Sequence, residues 1–92
     1  MPDKSQQIVL SDNLTIATVE ALHEELESAL SSGVDIVFDG SQVQRCDTAG
    51  LQTLLAFKLE LEKHSHQLSW KATSENLSQV SGLLGLEQAL GL

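Results

Sequence analysis

The sequence predicts one small α/β domain, a mixed β-sheet with its helices packed mainly on one side. Three observations carry that expectation. Apolar, β-branched runs alternate with amphipathic runs in the order strand, helix, strand, helix, strand, helix. Helical runs between strands act as crossovers, and crossovers imply parallel pairing. The chain has 92 residues, the size of one domain, and too little apolar helix surface to cover both faces of a sheet.

Residues 1–6 are polar and expected to be disordered, within a single domain spanning 1–92. Ile8-Val9-Leu10 reads as a first strand. Ser11-Asp12-Asn13 is turn chemistry, and Leu14-Thr15-Ile16 is expected to pair back as a short antiparallel strand. Val19, Leu22, Leu26, Ala29 and Leu30 recur at spacings of three and four, which predicts a helix capped by Thr15 or Thr18. Its opposite face carries Glu20, Glu24, Glu25 and Glu27, and Gly33 suits the left-handed position after its end. Val34 to Phe38 is apolar on both faces, as in an interior strand.

A second helix is expected from Asp47, its N-cap. Leu51, Leu54, Leu55, Phe57, Leu59 and Leu61 make it heavily apolar, and Lys63 and His64 suit its negative end. Gln67 to Ala72 alternates as a further strand, with Leu68, Trp70 and Ala72 on one face. Ser74 caps a last helix with Leu77, Val80, Leu83 and Leu84 as its buried stripe, followed by a short turn around Leu86 to Leu90.

Composition narrows the function. Five basic residues stand against thirteen acidic, a formal charge of -8, which repels phosphate backbones and anionic lipid. Aromatics are only 3%, too few for a stacking platform for single strands. A lone cysteine, Cys46, permits no internal disulfide and suits a reducing compartment. No run approaches a membrane span and no signal-peptide pattern opens the chain, so a cytoplasmic location is expected.

The chemistry concentrates at Cys46-Asp47-Thr48-Ala49-Gly50-Leu51, where a strand region meets a helix start. A triad of Thr48, His23 and Asp47 has the right residue types, but nothing in the sequence brings His23 to Thr48. Cys46 beside an acid reads as a small hydrophobe rather than a nucleophile. His64 and His66, two apart, lack the spacing of helical metal ligands. No phosphate-binding glycine loop is present, and neither an enzyme activity nor a cofactor is expected. What remains is a binding surface with a hydroxyl at a helix N-terminus. Phosphate on Thr48 would add roughly -1.5 to -2 charges there, partly accommodated by helix amides. The plain alternative is that Asp47 and Thr48 are only cap and first-turn residues.

Asp47-Thr48-Ala49-Gly50-Leu51 resembles the Asp-Ser-Ser/Thr-Gly-Leu hallmark of the STAS family, and Val34 to Leu55 and Leu83-Leu84-Gly85-Leu86 follow that family's layout. The resemblance covers nearly the whole chain. It implies the STAS fold and partner switching. A bacterial anti-sigma factor antagonist binds an anti-sigma factor, a serine/threonine kinase, and so influences transcription until phosphorylation releases it. Carried over, Thr48 is the phosphoacceptor, and Asp47, Thr48, Ala49, Gly50 and Leu51 form the partner-binding edge. The pattern departs at Thr48, usually serine, and at Ala49, usually a hydroxyl. The Asp-Thr-Ala-Gly-Leu form is also similar to STAS accessory subunits that regulate ABC-type phospholipid transporters through their ATPase.

Overall fold

Strand β3 (Asp35–Gly40) lies at the centre, and its neighbours dictate the rest. The structure is a computed structural model that describes residues 5–92. In chain order the other elements are β1 (Ser5–Val9), β2 (Asn13–Leu14), α1 (Val19–Ser31), β4 (Arg45–Cys46), α2 (Thr48–Lys63), β5 (Leu68–Thr73), α3 (Glu75–Leu83) and α4 (Glu87–Leu90). The main sheet has the order β1-β3-β5 and a second sheet pairs β2 with β4.

Every ladder between these strands is parallel. The α/β fold class is therefore as expected, but the antiparallel hairpin is not formed. Leu14 is buried, and β2 pairs with β4 some thirty residues away, Asn13 opposite Arg45 and Leu14 opposite Cys46. The chain turns at Thr15 to Thr18, where the Thr18 amide donates to Thr15 O at 2.9 Å. Pairing back on β1 would have left Leu14 at a solvent edge; pairing with β4 places it under α2. Of the residues expected to be disordered, 1–4 lie outside those described, whereas Ser5 and Gln6 belong to β1.

Side-chain alternation gives the sheet one covered face. Ile8, Phe38 and Trp70 stand side by side in register, with Ile36 beside Leu68. Phe38 and Ile36 are wholly buried, while Gln7, Ser69 and Lys71 on the other face are exposed. Phe38 stacks on Phe57 of α2 with centroids 5.8 Å apart and meets Trp70 edge-on at 5.2 Å. The Trp70 indole N–H donates to Leu90 O at 2.9 Å, which pins the short α4 against the same core. A bulge between Phe38 and Asp39 leaves Lys71 as the extra residue on β5.

The caps show which local signals succeeded. Asp47 and Ser74 each accept from the backbone amide three residues on, Gly50 and Leu77, at 3.0 Å. Thr18 occupies the cap position of α1 without capping it. Its hydroxyl instead donates to Asn13 O at 2.8 Å and accepts from the Thr15 amide at 3.2 Å, holding the β2–α1 turn. Within α2, Leu51, Leu54, Phe57 and Leu61 are buried, but Leu59 is 53% exposed, so the helix has a wider solvent face than its composition suggests. Leu83 likewise points outward from α3, where Leu77 and Ser81 are the buried residues.

Candidate functional site

The junction between β4 and α2 is built around the two oxygens of Asp47. Oδ1 accepts from the Gly50 amide, the capping bond, and Oδ2 accepts from the Ile16 amide at 3.0 Å. The Asp47 amide in turn donates to Leu14 O at 3.1 Å. One side chain thus closes the first turn of α2 and ties it to the turn before α1. These amides, Gly50 first and Ile16 second, hold the Asp47 carboxyl below the usual carboxylate range, because each favours the charged form.

Gly50 is fixed by packing. A β-carbon there would overlap the carbonyl of Leu14 and approach Leu14 Cβ to 3.1 Å. The helix start therefore lies directly on the backbone of β2, which only glycine permits. Leu51 is buried behind it and belongs to the core rather than to any exposed edge. Of the five motif residues, Thr48 is exposed, Asp47 and Ala49 are half-buried, and Gly50 and Leu51 are buried. The surface that a partner could touch is accordingly Asp47, Thr48 and Ala49, with Gly50 and Leu51 shaping it from below.

The Thr48 hydroxyl forms no hydrogen bond with the described residues. Two of the amides in the first turn are already engaged: Gly50 donates to the Asp47 side chain and Leu51 to Asp47 O at 3.0 Å. An added phosphate there would stand beside the ionised Asp47.

Among the described residues, Thr48, His23 and Asp47 are not joined by hydrogen bonds. His23 lies on α1 with Nε2 2.9 Å from Glu27 Oε1, and no hydrogen bond links it to Thr48 or Asp47. The Cys46 thiol donates to Asn76 Oδ1 at 3.4 Å, and burial first, then the Asp47 charge, pushes its ionisation upward. His64 and His66 face different carboxylates, Glu60 at 3.6 Å and Asp35 at 3.7 Å.

A groove between α1 and α2 opens beside the junction, with a volume of about 420 Å³. Ile16 and Ala49 lie at the junction end, Ala56 and Thr53 line the α2 wall, and Leu26 and Phe57 help form the apolar lining. Ile16 is 69% exposed. Its place at the surface is hidden in the sequence because Leu14-Thr15-Ile16 looks like half a hairpin. The signal that points to it is Asp47: an acid at a helix cap has a second oxygen, which is free to accept from another segment.

A protein-family model described as "Mlab, STAS domain" matches residues 1–92. No curated protein matches the chain significantly. The match spans the whole sequence, in which Asp47-Thr48-Ala49-Gly50-Leu51 stands at a helix start after a strand. The chain belongs to the STAS domain family, which includes anti-sigma factor antagonists and other regulatory proteins.

Proposed function

We propose that this chain is a regulatory docking subunit that presents the start of α2 to the ATPase subunit of an ABC-type phospholipid transporter, in the cytoplasm and without chemistry of its own. One observation carries the reading. Thr48 stands exposed, with no side-chain hydrogen bond among the described residues, on a helix start that Asp47 and Gly50 lock in place, next to the exposed Ile16 and an apolar groove. A rigid, weakly charged knob of this kind suits protein contact. The Asp-Thr-Ala-Gly-Leu form and the family description support the transporter-type partner over others. Among the described residues no helix is long and apolar enough to cross a membrane, so a membrane role would come through the partner.

The test is co-elution of the purified chain with that ATPase subunit, together with the subunit's ATP turnover. Thr48→Glu places a second carboxylate beside Asp47 and is expected to weaken the complex at least tenfold without changing the melting temperature. Full binding by Thr48→Glu would remove Thr48 from the interface.

A second reading has its own observation in the exposed Thr48 side chain. In an anti-sigma factor antagonist, that hydroxyl would take phosphate from the partner kinase. Phosphate on Thr48 would repel Asp47 and any acidic or apolar partner surface, and the chain would let go. Incubation with ATP and candidate anti-sigma factor kinases, followed by intact-mass measurement, tests it. The addition of one phosphate, lost in Thr48→Ala, supports this reading, and no mass gain counts against it.

A further inference from the structure

The groove between α1 and α2 has a chemical bias that the motif alone does not. Its floor is apolar, with Leu26, Leu30 and Phe57 among its lining residues, and one end reaches Ile16 and Ala49. Its rim is acidic. Glu27 and Glu60 border the groove, and Glu20 and Glu24 continue the same edge along α1. Among the described residues, neither the groove nor this edge carries a lysine or arginine. His23 offsets Glu27, and Lys63 and His64 approach Glu60 at 3.4 and 3.6 Å, but Glu20 and Glu24 form no ion pair among the described residues. From Ala49 to Glu60 the α2 wall runs about 16 Å at about 1.5 Å per residue, room for about three turns of a docked helix.

We infer that this groove receives an amphipathic helix of the partner protein, whose apolar stripe fills the α1/α2 cleft and whose flanking lysines and arginines meet the Glu20–Glu24–Glu27 edge. The inference rests on the docking role proposed above and adds the chemistry of the segment that docks. Charge selects the occupant. An anionic lipid or acidic peptide would face like charges along one whole side, whereas a basic helix gains steering and register from them. The apolar stripe supplies the affinity, in the manner of helix-in-groove recognition with anchors three and four residues apart. Ile16, held by Asp47 at the junction end, acts as the end stop that sets how far the helix slides.

The experiment is a display selection with a library of random 16-residue helices against the intact chain, read by sequencing of the bound fraction. The expected result is enrichment of apolar residues at helical spacing flanked by Lys and Arg. The selected peptides should lose at least tenfold in affinity for Ala56→Trp, which fills the groove from an exposed position, and for Glu20→Lys/Glu24→Lys, which reverses the edge. Raised salt should weaken wild-type binding and not that of the charge-reversed variant. Thermal melts confirm that each variant is folded, and either variant suffices if the other is not. Selection without basic enrichment, or equal binding by both variants, overturns the inference. If the ATPase subunit co-elutes equally with wild type and both variants, the groove assignment falls and the docking role stands. If basic helices are selected and lost in the variants while no ATPase subunit binds, the transporter reading falls and the groove assignment stands.

Discussion

A methyl group at position 50 would collide with the Leu14 carbonyl, so Gly50→Ala must lift α2 off β2 or displace β2 from β4. Either movement breaks the Asp47–Ile16 bond as well, because both ends ride on the displaced segments. The expected loss of stability is at or beyond about 3 kcal/mol, the upper end for overpacked sites, measured by chemical denaturation. An unchanged midpoint would show that the close approach is not needed. Asp47 gives a pH prediction. Its folded carboxyl ionises more readily than in the unfolded chain, as does that of Asp39, whose carboxylate is bonded by the Ser41 hydroxyl and amide. Their contribution is therefore complete above about pH 4, the unfolded carboxylate value, and disappears as pH falls through the lower folded values. Asp47→Asn should be less stable than wild type at neutral pH, and the gap should narrow below about pH 4. A gap that widens on acidification would contradict the sign of the argument.

At the scale of elements, the turn after α2 holds a residue in an uncommon conformation. Ser65 has φ of 65°, and the turn is fastened by the His66 amide on Leu61 O at 2.9 Å and the Gln67 amide on Asp35 Oδ1 at 3.0 Å. Ser65→Gly removes the β-carbon penalty of the left-handed region, about 1–2 kcal/mol, against glycine's extra backbone entropy cost of about 0.5–1 kcal/mol, so a gain of up to about 1 kcal/mol is expected in the melting curve. The elements also show what could be read in the chain. Helices α1, α2 and α3 and strands β3 and β5 announced themselves through periodicity and through the Asp47 and Ser74 caps, which act within a few residues. Strand β1 begins earlier than its apolar run because Ser5, Gln6 and Gln7 pair through their backbones with β3 and leave their side chains exposed. A strand on the sheet edge with a wet outer face carries little hydrophobic pattern. The partner of β2 was illegible for a different reason. Two residues contain no register information, and the choice of β4 is made by the fit of Gly50 on Leu14, decided some thirty-five positions away.

At the scale of the molecule, the core among the described residues is one cluster shared by both sheets and all four helices, with Phe38, Leu54, Leu61, Leu77 and Leu90 fully buried. Leu54→Ala is expected to cost about 2–5 kcal/mol. Trp70 packs against that cluster and ties α4 to it. Trp70→Phe keeps an aromatic ring against Phe38 but releases Leu90 O, an expected cost of about 1–3 kcal/mol, with earlier hydrogen exchange in α4 than in β3 as the accompanying sign. The candidate site was legible in its position and its motif, and less so in its surroundings. Asp47-Thr48-Ala49-Gly50-Leu51 can be found by eye, but the groove beside it is made by two helices whose facing sides are known only once they are packed.

The parallel pairing has a consequence for how the chain is made. None of the strands described pairs with its immediate successor, since β1 waits for β3, β2 for β4 and β3 for β5. During synthesis β1 has no partner until the polypeptide has passed residue 40, and the Leu14 shelf stays uncovered until Gly50 has emerged. Folding must close these long loops before any sheet contact rewards it, which makes it slow for a chain of this size. Kinetic traces of Gly50→Ala and Leu54→Ala would show the effect in the refolding limb if α2 settling on β2 is the committing step, and only in the unfolding limb if it comes last.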